Sequence, residues 1–231
     1  MLMKDMKRQT RIAAIIFIAG LAGFLYPMIG GYVSSGRQLR ILADYDAASA
    51  DLTGGEADAL FDAAEAYNAN LRRLGSVYSG RGAEGYYETL DITGTGIMGY
   101  LSIEKLGLKL PICHGTDSGA MRAGVGHLEG TSLPIGGEGT HCFLTAHRGL
   151  PSARLFAELD RLEPGDRFEI TVLDRRLVYQ VVKLLIVEPT DVSALAAVEG
   201  EDLCTLLTCT PYGINSHRLL VRGVRVDDAS T

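Results

Sequence analysis

The chain has 231 residues, 47% of them hydrophobic and 22% charged, a globular composition that excludes a wholly disordered or collagen-like chain. Its net charge is −6, and four of its 22 bases (Lys4, Lys7, Arg8 and Arg11) lie in the first 35 residues beside the single acid Asp5. The remainder is therefore more acidic still and lacks the basic footprint of a nucleic-acid binder. Four cysteines without a CxxC pair are too few for a disulfide scaffold and lack the spacing of a zinc or redox knuckle.

In chain order, the first element is Ile12–Val33, 22 residues without a charge. At 1.5 Å per residue such a run crosses a hydrocarbon core of about 30 Å. It exceeds the apolar core of a cleaved signal peptide, roughly 7–15 residues, and its end has no A-x-A site, so it reads as an uncleaved signal-anchor. The bases precede it, which keeps the N-terminus cytoplasmic and puts the rest of the chain, after Val33, outside. Residues 37–74 carry helical stripes. Leu39, Leu42 and Tyr45 share one face; Leu60, Phe61, Ala64, Tyr67, Leu71 and Leu74 share another. Between them Thr53-Gly-Gly-Glu56 has capping-box spacing, which predicts two helices. Residues 75–96 form a glycine-rich loop with neither GxGxxG nor GxxxxGK, so it is no phosphate cradle.

From Ile97 the text changes to short β-prone runs: Ile97–Ile103, Leu108–Cys113, Thr140–His147, Arg167–Val172, Leu177–Glu188, Asp202–Cys209 and His217–Val226. Prolines 134, 151, 164, 189 and 211 fall between or at the ends of these runs, the pattern of a sandwich or barrel. Short helices are expected around 152–159 and 191–197. The domain reading is a basic tip and membrane anchor over 1–35, a helical extension and loop over 36–96, a β domain over 97–227, and a tail over 228–231.

Three polar residues sit at strand ends. His147 closes Phe-Leu-Thr-Ala-His, Cys209 closes Thr-Leu-Leu-Thr-Cys, and Arg218 opens His-Arg-Leu-Leu-Val. Together they supply what acyl transfer through sulfur needs: a thiolate, an imidazole that shuttles a proton, and a guanidinium that holds an oxyanion. Strand alternation puts Cys204 on the face opposite Cys209, and His217 opposite Arg218. Periodicity alone does not bring His147 beside Cys209. Cys113, Cys142 and Cys204 read as buried thiols rather than bridge partners, His114 and His141 as structural, and His127 with Glu129 as loop residues. A zinc site at His141-x5-His147 is disfavoured.

Thr205-Leu-Leu-Thr-Cys209 matches the TLxTC signature of sortases, the membrane-anchored cysteine transpeptidases of Gram-positive bacteria. The blocks GIMGYLSIEKLGLKLPICHGT (96–116), GVGHLEGTSLPIGG (124–137), FLTAHRGLPSARLF (143–156) and TCTPYGINSHRLLVRG (208–223) resemble class C, the pilin-polymerising subfamily. The resemblance implies a mainly β fold: an eight-stranded β-barrel with short helices, preceded by a helical extension and a membrane anchor. It assigns the acid/base to His147, the nucleophile to Cys209 and the oxyanion-stabilising arginine to Arg218. Thr208 and Tyr212 are expected to line the substrate groove. It implies an LPXTG-type sorting signal as substrate, a lysine-bearing pilin as acceptor, a catalytic domain outside the cell membrane, and no metal or organic cofactor. A housekeeping sortase that attaches proteins to a cell-wall precursor is the alternative. The Asp-Pro-aromatic lid motif of many class C enzymes is absent, since no proline lies between Met28 and Leu110. Either the lid is absent or Ser76–Tyr87 covers the site by other contacts, with Tyr78, Tyr86 and Tyr87 the candidates for an aromatic plug.

Overall fold

The computed structural model describes residues 2–73, 84–149 and 153–227. Tyr78, Leu74 and the tail 228–231 lie outside the described residues. The apolar run and the first helical stripe belong to a single uninterrupted helix, α1 (Leu2–Ala50). Its first half is long and apolar enough to cross a membrane. Ile15, Phe17, Phe24 and Ile29 project from it with most of their surface exposed, a face that suits hydrocarbon better than water.

The second half of α1 turns to the barrel. Leu42 and Tyr45 are buried. The Tyr45 hydroxyl donates to Met98 O (2.8 Å) and accepts the Leu173 N–H (2.9 Å). Burial pushes its phenol up to about 12, so it stays a neutral bridge between strand residue Met98 and the turn at Leu173. Leu39 is exposed instead of buried. The docking row is Gln38, Ile41, Leu42 and Tyr45, spaced i, i+3, i+4, i+7, and Leu39 falls to one side of it. α2 (Gly54–Arg73) starts at the expected capping box. The Thr53 N–H and hydroxyl donate to the Glu56 carboxylate (2.9 and 2.7 Å). Phe61, Ala64, Tyr67 and Leu71 are buried as the stripe requires, and Asn68 Oδ1 accepts the Leu133 N–H (2.8 Å). Phe61, Ala64, Tyr67 and Leu71 belong to the same hydrophobic cluster as the barrel interior.

Eight strands form the barrel: β1 (Ile97–Ile103), β2 (Leu108–Cys113), β3 (Val125–His127), β4 (Thr140–Thr145), β5 (Arg167–Val172), β6 (Arg175–Val187), β7 (Asp202–Thr210) and β8 (His217–Val226). They close in the order β1-β2-β3-β4-β7-β8-β6-β5. The one-turn helix α3 (Ala120–Ala123) precedes β3. The short helices expected at 152–159 and 191–197 are single 3-10 turns, Leu159–Arg161 and Ser193–Leu195. Ladders β2–β3 and β4–β7 are parallel, and the others are antiparallel. In β8, Gly223 lets the Phe168 ring lie on the backbone; a Cβ there would fall 2.7 Å from two ring carbons.

Candidate active site

The β4–β7 ladder pairs Thr140 with Asp202 through Thr145 with Leu207, each pair 62 residues apart. The ladder continues past the end of β4, where Ala146 N–H donates to Leu207 O (3.2 Å). That offset carries His147 to Cys209. On the other side of β7, the antiparallel register pairs Cys209 directly with Arg218. Residues in register share a face, so three adjacent strands present His147, Cys209 and Arg218 in one row. The row lies on the outer face of the barrel. His147 is exposed; Cys209 and Arg218 are half-buried. After His147 the chain turns away, with His147 O accepting the Phe156 N–H (3.2 Å). Arg218 Nη1 is steadied by the carbonyls of Asn215 (3.2 Å) and His217 (3.1 Å) in its own hairpin. His217 points elsewhere, to the Glu188 carboxylate at 3.2 Å, as alternation requires.

Beside the row lies a cavity of about 290 Å³. Its floor is the same outer face: Phe143, Thr145, Leu207 and Leu220, with Arg218 at the edge. Its wall is the segment after β6, including Pro189, Val192 and Leu195. Three contacts hold that wall. Arg222 Nη2 donates to Ala194 O (2.8 Å), His141 Nδ1 donates to Ala196 O (2.9 Å), and Asp191 Oδ1 accepts the Ser193 N–H and hydroxyl (3.0 and 2.6 Å). The Thr205 hydroxyl donates to His141 Nε2 (2.8 Å), which fixes the tautomer. Burial, aided by the charge on Arg222, lowers His141 to about 4, so it is neutral at ordinary pH. An apolar slot with a guanidinium at its edge, floored by Leu207 two residues before Cys209 on the same face of β7, fits an extended peptide with apolar side chains.

The inner face under the row holds residues the sequence did not single out. Arg148 Nη1 donates to Thr210 Oγ1 (2.6 Å), and Nη2 pairs with Asp160 at 2.5 Å. Arg148 follows His147 and Thr210 follows Cys209, so one buried guanidinium ties together the two strand ends that carry the site. Thr208, expected in the groove, points inward instead. It is buried, and its hydroxyl donates to Ala146 O (2.8 Å). Alternation turns it away from the face of Cys209, and it registers β7 on β4. Tyr212 is exposed and lies over the His147 loop, where a Cβ on Gly149 would come within 2.9 Å of its ring.

The candidate plug residues lie elsewhere. Tyr86 is buried between α2 and the barrel; its hydroxyl donates to His127 Nδ1 (2.8 Å) and accepts the Gly115 N–H (2.9 Å). Tyr87 is exposed and donates to Glu129 (3.2 Å). Among the described residues, neither has a hydrogen bond or ring contact with His147, Cys209 or Arg218. Tyr86 is held by burial and by a hydroxyl already paired on both sides, so it packs the extension onto the barrel. His127 is wholly buried and Nε2 donates to Ser132 O (2.8 Å). His114 has both ring nitrogens on backbone carbonyls, Gly96 O and Thr89 O. All four cysteines are free thiols, and only Cys209 is not buried. Burial raises Cys113 to about 12.

A closed eight-stranded barrel with a thiol, an imidazole and a guanidinium in register on its outer face defines the class: a barrel built for chemistry at sulfur. The Sortase domain matches residues 101–226, more than half of the chain, and the chain belongs to the sortase family. It is 30% identical to Sortase D of Bacillus subtilis over 131 residues, 55% of this chain and 63% of that protein. It thus spans less than two thirds of that relative's length. The crystal structure of sortase C1 from Streptococcus agalactiae has a TM-score of 0.77 at 42% identity, covering 81% of this chain and 98% of that one. The Clostridium perfringens sortase C, solved with the C-terminal cell wall sorting motif, has a TM-score of 0.73 at 38% identity, covering 82% of this chain and 99% of that one.

Proposed function

We propose that the protein is a class C sortase: a cysteine transpeptidase that cleaves an LPXTG-type sorting signal and joins it to a lysine amine of a pilin subunit. The Cys209 thiolate attacks the Thr–Gly carbonyl, and the oxygen that becomes anionic is held by the Arg218 guanidinium. His147 protonates the departing glycine amine, which breaks the peptide bond and leaves a thioester on Cys209. The lysine amine then attacks the thioester, gives a proton to His147, and releases the thiolate as the isopeptide bond forms. Arg148 positions His147 and Cys209 through the two strand ends. The groove beside Leu207 and Arg218 takes the apolar part of the signal. The first half of α1 anchors the chain in the cell membrane, with the bases before it cytoplasmic and the barrel outside.

The observation that carries this reading is the register: His147, Cys209 and Arg218 in one row, with Arg218 at the edge of an apolar groove. The pilin assignment draws on the class C structures at about 40% identity, including one with a sorting motif. The test is incubation with an LPXTG peptide and purified candidate pilin, followed by mass spectrometry. A thioester on Cys209 and a Thr–lysine cross-link are expected, and both vanish in Cys209→Ala. Undiminished turnover in that variant sinks the assignment. A thioester without the lysine cross-link, resolved instead by a cell-wall precursor amine, replaces pilus assembly with the housekeeping role.

A further inference from the structure

Two thiols play no part in that mechanism. Cys142 on β4 and Cys204 on β7 are direct partners in the parallel ladder. Both are buried on the inner face. Neighbouring strands lie about 4.8 Å apart, which falls within the range of about 4.4–6.8 Å between Cα atoms that a disulfide spans. As direct partners in register they project from the same face of the sheet, so the two sulfurs face each other across the ladder.

We propose that Cys142 and Cys204 are a cross-strand disulfide site that staples β4 to β7 on the inner face and leaves the Cys209 thiol free. The selectivity is geometric. Cys209 lies five residues beyond Cys204 on the same strand, an odd step, so its sulfur projects from the opposite face. Cys113 is on β2, which is separated from β4 by β3. Burial opposes ionisation of both thiols once they are folded in.

The co-reactant is a small or protein disulfide. Cys142 thiolate attacks one of its sulfurs, that disulfide bond breaks, and one thiol leaves. Cys204 then attacks the mixed disulfide at the Cys142 sulfur, and the second thiol leaves. The two protein thiols lose two electrons and two protons, and the oxidant becomes two thiols. Burial of both sulfurs places the exchange at the stage when β4 and β7 are coming together, and afterwards shields the bond from reductant. The staple sits five residues before His147 on one strand and five before Cys209 on the other. It therefore pins the register that brings those two together. Its occurrence in the cell rests on the outward placement of the barrel proposed above, because disulfides persist in oxidising compartments. Its chemistry rests on the β4–β7 register alone.

The test is made on the full chain in detergent. It is reduced, unfolded, refolded in a mixture of oxidised and reduced glutathione, quenched with iodoacetamide in denaturant, digested and mapped. A Cys142–Cys204 linked peptide is expected, with Cys113 and Cys209 alkylated, and a melting temperature several degrees above that of the reduced chain. Cys204→Val removes the bridge and the shift, whereas Cys209→Ala keeps both. A chain that does not refold is treated while folded, in the same buffer just below its melting temperature, and read in the same way. Four alkylated cysteines, or a bridge that includes Cys113 or Cys209, overturns the proposal. No sorting peptide enters the experiment, so its outcome is independent of the transpeptidase reading.

Discussion

The outer and inner faces of β4, β7 and β8 are made by alternate residues of the same strands, yet they treat polar groups differently. On the outer face, among the described residues, neither the His147 ring nor the Cys209 thiol has a hydrogen-bond partner, and Arg218 touches only backbone carbonyls of its own hairpin. On the inner face Thr208 is bonded to Ala146 O, and Arg148 to Thr210 and Asp160. Groups that must meet a ligand are left uncommitted; groups one residue away fix the strands that carry them. A period of two thus separates chemistry from scaffold within a few ångströms, and each face is expected to fail in its own way.

The largest effects belong to the outer face. Arg218→Ala removes the proposed oxyanion donor, a change that in comparable sites lowers kcat by about 10²–10³-fold. His147→Ala removes the proposed proton shuttle and is expected to cost about 10²–10⁴-fold. Both variants keep the wild-type melting temperature, because neither side chain holds a described strand in place. Single-turnover thioester formation and thermal unfolding, measured side by side, check the pair. A large loss of stability in either variant breaks the division between the faces.

Much of this division was legible in the sequence, and the failures have physical causes. Seven strands, the Thr53–Glu56 capping box and the stripe of α2 followed from local periodicity and cap chemistry. β3 did not, because three residues carry no alternation to read. The three polar residues at strand ends were visible one by one. Their meeting was not, because alternation assigns a face but not a neighbour, and the 62-residue offset exists only once β4 and β7 pair in parallel. Thr208 is the instructive error: the rule that turned Cys204 away from Cys209 also turns Thr208 inward, and the signal was available. Arg148 left no trace, since an arginine in His-Arg-Gly reads as an exposed loop until Asp160 and Thr210 are brought to it. The unbroken α1 was hidden by the change from apolar to polar composition near Ser34, which changes the helix's surroundings and not its backbone.

A buried residue on the outer side sharpens the comparison. His141 supports the wall of the groove and is held neutral, its pKa lowered from an ordinary 6.5 to about 4 by burial first and by Arg222 second, against the pull of the Ala196 carbonyl. The unfolded chain therefore binds a proton that the folded chain refuses between those values. The stability this contributes is fully present above pH 6.5 and is lost as the pH falls toward 4, about 3 kcal/mol in all. His141→Gln is expected to flatten that part of the profile of melting temperature against pH. An unchanged slope places the acid sensitivity elsewhere.

On the inner face, Arg148→Ala strips Thr210 of its partner and leaves the half-exposed Asp160 unpaired. Hydrogen bonds to charged groups contribute about 1.5–3 kcal/mol, and exposure of Asp160 places this one toward the lower end. The strand ends that carry His147 and Cys209 loosen together. Melting temperature and kcat are both expected to fall, with KM for the sorting peptide little changed, since Arg148 does not line the groove. Arg148→Lys restores one of the two contacts and part of each loss. A variant with full stability but lower kcat moves Arg148 from scaffold to chemistry.

The smallest effect is the sharpest comparison. Thr208→Val keeps the shape and burial of the side chain and removes one hydroxyl, the donor to Ala146 O. A neutral buried hydrogen bond contributes about 1 kcal/mol, and the carbonyl left behind retains the chance of a weaker contact. The expected result is a melting temperature lower by a few degrees, with kcat and KM close to wild type. Cys209 is the next residue along β7, and Cys209→Ala also deletes a single polar group. If the faces are divided as described, the inward deletion reads out in calorimetry and the outward one in thioester formation, with little crossover. A Thr208→Val enzyme that melts normally but acylates poorly reverses that assignment and puts the hydroxyl back in the groove.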